Sequence, residues 1–90
     1  MKHIISYENM TEPEKSARAL ADVQFWLGAR YEQVSNTLAE SFPMELESFA
    51  MWADFVGLQG FPVKVWYADC AQRAGAIESA RRVLGRARRV

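Results

Sequence analysis

The chain is poor in the residues that carry most protein chemistry: its 90 residues include one cysteine, one histidine and three prolines. Cys70 has no second cysteine to pair with, which excludes the disulfide framework of a small secreted domain. His3 and Cys70 alone are too few for the usual transition-metal site, so no metal and no cofactor are expected. A nucleophilic thiol needs a base or a positive field beside it, and His3 lies near the opposite end of the chain from Cys70. Cys70 therefore reads as a small buried hydrophobe. Glu45, Glu47 and Asp54 have no histidine near them and read as a solvated helix face or polar rim. These absences predict a protein that is not an enzyme. No uncharged run approaches the ~18–20 residues of a membrane helix, so no membrane contact is expected. The opening stretch MKHIISYENMTEPEK lacks the apolar core and cleavage site of an export signal, and a cytoplasmic location is expected.

Apolar surface, by contrast, is plentiful. Half the residues are hydrophobic and 12% are aromatic, which argues against disorder. The formal net charge is zero, but residues 1–60 carry four Lys/Arg against nine Asp/Glu and residues 61–90 carry seven against two. A chain of this length makes one domain, and it buries only ~60–65% of its unfolded surface, so its stability is thin.

The hydrophobic periodicity predicts an all-α fold: a small antiparallel bundle of three helices, or four if a long helix breaks at Gly28 or Gly75. Thr11-Glu12-Pro13-Glu14 has the form of a capping box and starts the first helix, expected over 12–40 after an extended segment 1–10. Its apolar line is Ala17, Leu20, Leu27, Tyr31, Val34 and Leu38, widened by Val23 and Trp26. Pro43 forces Phe42 out of helical geometry and opens a second helix over 43–57. Gly57-Leu58-Gln59-Gly60-Phe61-Pro62 reads as a loop, and a third helix is expected over 62–88 with the line Trp66, Cys70, Ala74, Ile77, Ala80, Leu84, Ala87. Short loops make neighbours antiparallel, which would bring the basic end of the last helix to the acidic start of the first. An alternative α+β reading pairs His3–Tyr7 with Val63–Tyr67 in a two-stranded ribbon, since both have strand character.

Seven of the eleven aromatic residues fall between Phe42 and Tyr67, more than one short helix can hide. Leu46, Phe49, Ala53 and Val56 form one stripe of the middle helix and are assigned to the core. Met44, Met51, Phe55 and Leu58, with Trp52 beside them, form a second line and are assigned to a protein-binding patch, because Trp, Phe and Met are enriched at interfaces. Arg81, Arg82, Arg86, Arg88 and Arg89 form a basic tail. It would suit phosphate contact, but it also complements a helix C-terminus and scatters around the helix. Gly57-x-x-Gly60 has the glycine spacing of loops that clamp nucleic acid, yet neither residue between the glycines is basic. The expected function is thus a non-enzymatic module acting by stoichiometric binding: a small adaptor, regulator or inhibitor, of the kind phages and mobile elements encode against host defences. Its partner would be another protein or a second copy of itself, and nucleic acid bound by the basic helix is the alternative.

Overall fold

A computed structural model describes residues 9–87, with side chains through residue 85. Four α-helices make up an all-α bundle: α1 Glu12–Leu27, α2 Tyr31–Glu40, α3 Leu46–Phe55 and α4 Phe61–Ala87, with a 3-10 turn at Gly28–Arg30 between the first two. No strand occurs among the described residues. Val63–Tyr67 is the first part of α4 instead of a ribbon strand, and His3–Tyr7 lies outside the described residues.

The start of α1 is the predicted capping box. The Thr11 side chain accepts from the Glu14 N–H while the Glu14 carboxylate accepts from Thr11, and Pro13 sits in the first turn where no amide donor is needed. The helix expected to run to residue 40 breaks at Gly28, whose φ of 60° is a conformation that residues with a side chain rarely adopt. The buried line of α1 is Ala19, Val23 and Leu27, with Leu20 packed beside it, and Ala17 is exposed. This i, i+4, i+8 stripe lies on the other side of the helix from Ala17 and leaves Trp26 at its margin.

Successive helices reverse direction. The end of α1 lies at the start of α4, because the Trp26 indole N–H donates to the Val56 carbonyl and Trp26 covers Gly57. The α2 helix runs alongside α4: Tyr31 bonds to Asp69, Glu32 and Asn36 bond to Arg73, Ala39 and Glu40 border the same space as Ala74 and Ile77, and the long indole of Trp66 reaches across to Ser35. The α3 helix ends in a Schellman motif, with Leu58 N–H donating to Ala53 O at 3.0 Å and Gly57 N–H to Asp54 O at 3.0 Å. Gly57 supplies the positive φ of 80° that the motif requires. Each of the three shorter helices packs on α4, and α3 makes no close backbone approach to α1 or α2 among the described residues.

The core is centred on Trp66. Its indole N–H donates to Ser35 Oγ at 2.9 Å, and its ring meets Phe49 edge to face at 5.0 Å between centroids. Phe49 in turn touches Phe42 and Tyr67, so one buried ring on α3 ties the 42–45 turn to α4. Val23, Leu27, Tyr31, Leu38, Ala53, Leu58, Val63 and Cys70 complete the buried cluster.

The helices differ in length, and this shapes the surface. The α1 helix has 16 residues and α4 has 27, about 24 Å against about 40 Å at 1.5 Å per residue. Since α1 begins its pairing at the start of α4, it runs out near Ile77. Ile77 is the last half-buried residue of α4, and every described side chain from Glu78 to Gly85 is exposed. The predicted core line is therefore covered at Trp66, Cys70, Ala74 and Ile77 but not at Ala80 or Leu84.

Two glycines should respond to alanine with opposite signs. A Cβ at Gly57 would face the Trp26 ring at 3.1 Å in a left-handed conformation, so Gly57→Ala should lower stability by about 1 kcal/mol or more, a fall in Tm of roughly 4–8 °C. A Cβ at Gly75 meets nothing within 4 Å inside a helix, so Gly75→Ala should raise stability by about 0.5–1 kcal/mol. Thermal melts of the two variants check both signs.

Candidate functional site

Two side-chain groupings stand out beyond the core: a polar cluster on the α2–α4 seam and an apolar groove between α2 and α3.

The polar cluster is built on Arg73. Its guanidinium bonds to both Glu32 carboxylate oxygens at 2.8 and 3.2 Å, to Asn36 Oδ1 at 2.9 Å and to Asp69 Oδ2 at 3.0 Å. Tyr31 donates to the same Asp69 oxygen at 2.7 Å, and Arg73 lies over the Tyr31 ring at 5.4 Å. The fork of Arg73 matches the two-oxygen geometry of a carboxylate, so the cluster fixes how α2 sits on α4. Hydrogen bonding from Arg73 holds the Glu32 carboxyl below its usual range, and the pairing with Glu32 raises Arg73 further. Burial, followed by the hydrogen bond to Asp69, pushes Tyr31 up to about 12. All the donors and acceptors face one another, and this is the chemistry of a clasp.

Cys70 lies one turn away, fully buried. Burial first, and then the charge of Asp69, pushes its thiol up to about 12, so almost no thiolate exists near neutral pH. Among the described residues no group of three or more His, Cys, Asp or Glu is placed to hold a metal. No described helix is long and apolar enough to cross a membrane.

The groove follows from the packing. Because α2 and α3 both lean on α4 without closing on each other, a space of about 460 Å³ remains between them. Val34 and Leu38 of α2 form one wall, Trp52, Phe55 and Val56 the other, and Trp66 lies at the floor. Arg30 stands at its edge. Trp52 and Phe55 are 58% and 86% exposed, with ring centroids 6.2 Å apart. They stand outside the core because Phe49 and Ala53 already occupy the face of α3 that meets α4.

The residues assigned to a binding patch thus divide. Trp52 and Phe55 line the groove, and Met51, 70% exposed, lies on the other flank of α3 beside Leu46. Leu58 is buried, contrary to the surface assignment, because it closes the Schellman motif and is carried into the core. Met44 is half-buried against the core, and its carbonyl accepts the Tyr67 hydroxyl. Leu46, expected inside, is 38% exposed, since α3 begins there at the margin of its contact with α4. Two exposed aromatics on α1, Phe25 and Trp26, were not assigned to a surface by periodicity. Trp26 lies at the margin of the Ala19, Val23, Leu27 stripe, so its indole reaches the Val56 carbonyl while much of the ring stays exposed.

Of the basic tail, Arg81 and Arg82 are exposed, and Arg82 pairs with Glu78 of its own helix at 2.9 Å. At the acidic end, Lys15 pairs with Glu12 and Arg18 with Asp22, again within one helix. Arg86, Arg88 and Arg89, and Glu8, lie outside the residues whose side chains are described. Comparison with protein families, with curated proteins and with solved structures finds no match to this chain.

The raised acids set an alkaline limit on stability. Between the ordinary value of 9.0 and about 12 for Cys70, and between 10.0 and about 12 for Tyr31, only the unfolded chain loses the proton. Their contribution is complete below those ordinary values and is lost as pH rises through the folded ones. Denaturant melts should show stability falling from pH 9 upward, with Cys70→Ala removing the earlier part of the fall and Tyr31→Phe the later. An unchanged slope in both variants would contradict the assignment.

Proposed function

We propose that the protein is a non-enzymatic interaction module that works by stoichiometric binding, as a small adaptor, regulator or inhibitor. Its contact with protein is the α2–α3 groove and its aromatic lip. One observation carries this reading: Trp52 and Phe55 stand more than half exposed beside an apolar groove that reaches down to the core tryptophan. In so small a domain, each of these rings would contribute roughly 1.5–3 kcal/mol if buried, yet neither is. Bulky aromatics at the rim of a concave apolar site are the usual anchors of protein interfaces. A groove between two helices, deep on one side and lipped on the other, suits the apolar face of an amphipathic helix. The polar clasp at Arg73 supports the reading indirectly, since it holds α2 rigid as one wall and leaves less ordering to be done on binding.

Arg81 and Arg82 carry the second reading, contact with nucleic acid, because both are exposed on the part of α4 that outruns the bundle. Arg82 is already paired with Glu78, which weakens it as a phosphate ligand.

The test is the double variant Trp52→Ala with Phe55→Ala. Both positions are exposed, so Tm should move by no more than about 4 °C. Affinity for a protein partner captured by the wild-type chain, measured by calorimetry in the presence of nuclease, should fall by about 100-fold or more. A folded double variant that binds that partner as tightly as the wild type would overturn the reading, as would binding that nuclease abolishes.

A further inference from the structure

Among the described residues, the far end of α4 is a second apolar surface without a cover. Val83 and Leu84 are 65% and 62% exposed; Ala80 and Leu84 continue at helical spacing the line that Cys70 and Ile77 bury lower down, and Val83 lies next to Ala80 on the flank away from that line. Residues 78–87 span about 15 Å beyond the reach of α1. A helical piece of that length is marginal in water by itself, and Gly85 costs it roughly a further 1 kcal/mol against alanine. An apolar, weakly self-sustaining helix end calls for something to pack on.

We infer that this end of α4 is the occupant of the α2–α3 groove of a second copy, and that two copies exchange these ends reciprocally. The inference rests on the reading of the groove as a protein-binding site and adds the identity of what binds there. Three observations favour a second copy. The first is distance: Trp66 forms the groove floor and Val83 lies 17 positions further along the same continuous helix, about 26 Å away, so the end cannot fold back into its own groove. The second is charge: residues 78–87 carry three arginines against one glutamate, while residues 9–60 carry three Lys/Arg against eight Asp/Glu. Arg30 is the one charged residue lining the groove, so the attraction acts between the end of one copy and the acidic body around the groove of another, whereas two such ends side by side would oppose like charges. The third is shape: the end presents a convex face of Ala80, Val83 and Leu84, and the groove presents a concave apolar wall with two exposed rings at its lip. Reciprocal exchange about a two-fold axis satisfies both copies and leaves no open end for further growth.

Light scattering and sedimentation of the full chain, from micromolar to submillimolar concentration, test this. The wild type should form a reversible dimer of twice 10.3 kDa. Val83→Asp with Leu84→Asp, which spoils the helix end, should be monomeric, and so should Trp52→Ala with Phe55→Ala, which spoils the groove. Each should keep the helical circular dichroism of the wild type. Mixed together, the two variants retain one good end and one good groove, and should form a one-to-one pair weaker than the wild-type dimer by about 100-fold. A monomeric wild type, a helix-end variant that still dimerises, or a mixture that fails to associate at submillimolar concentration would each overturn the inference. So would a monomeric chain that dimerises only when residues 1–8 are removed, since the chain's own beginning would then be the cover. If the wild type is monomeric and the Trp52, Phe55 variant still loses a different protein partner, the exchange falls and the interaction reading stands.

Discussion

The seat of Trp66 is the contact on which the rest of the structure depends. Its N–H is held by Ser35 of α2, its ring meets Phe49 of α3, and Val23 and Leu27 of α1 belong to the same cluster. One side chain of α4 thus bonds to α2, meets the ring that α3 brings and shares a cluster with the buried residues of α1. The remaining core is built outward from that point: Cys70 lies one turn above it, Val63 one turn below, and Phe42 and Tyr67 close the side around Phe49. Every buried polar side-chain atom among the described residues has a partner, so the hydroxyl of Ser35 and the indole N–H satisfy each other at no cost in stranded groups.

A fold organised around one helix has a geometric consequence. Helices that all lean on α4 need not lean on one another, and α2 and α3 do not. The gap between them is the groove, and the core tryptophan shows at its floor. Arg73 ties the α2 wall of that gap to α4 through its bonds to Glu32, Asn36 and Asp69. A second consequence concerns length. A central helix of 27 residues cannot be covered along its length by neighbours of 16, 10 and 10 when the longest of them ends where the central helix starts. The uncovered part carries apolar side chains and arginines together. Groove and helix end are therefore products of the same packing plan.

Much of this could be read from the residues. Thr11 to Glu14 announced the start of α1, the glycines at 57 and 60 announced the turn before α4, and the line from Trp66 to Ile77 was correctly placed inside. The pattern marks Gly28 as a possible break but not as a reversal, because a single glycine inside a helical pattern costs only about 1 kcal/mol and can be tolerated. The error at Leu58 has a clear origin. Helical periodicity was carried one turn past Phe55, where the Schellman motif redirects the chain, so Leu58 belongs to the cap and not to a stripe. Ala80 and Leu84 show the converse case: periodicity locates a face, but only the lengths of the neighbouring helices determine whether that face is covered. The groove lay beyond sequence reasoning, since it depends on two helices failing to meet, while its aromatic lip was visible as the surplus around Trp52 and Phe55.

The central claim is that α4 performs two tasks, core at its first half and contact surface at its second. Amide hydrogen exchange along α4, followed in dilute and in concentrated solution, tests it most directly. Amides from about Trp66 to Ile77 should be strongly protected in both, and those from Glu78 to Ala87 should be weakly protected when dilute and should gain protection when concentrated, together with slowed exchange around Trp52 and Phe55. Protection of residues 78–87 that equals that of the core in dilute solution, or that does not change with concentration, would contradict the account.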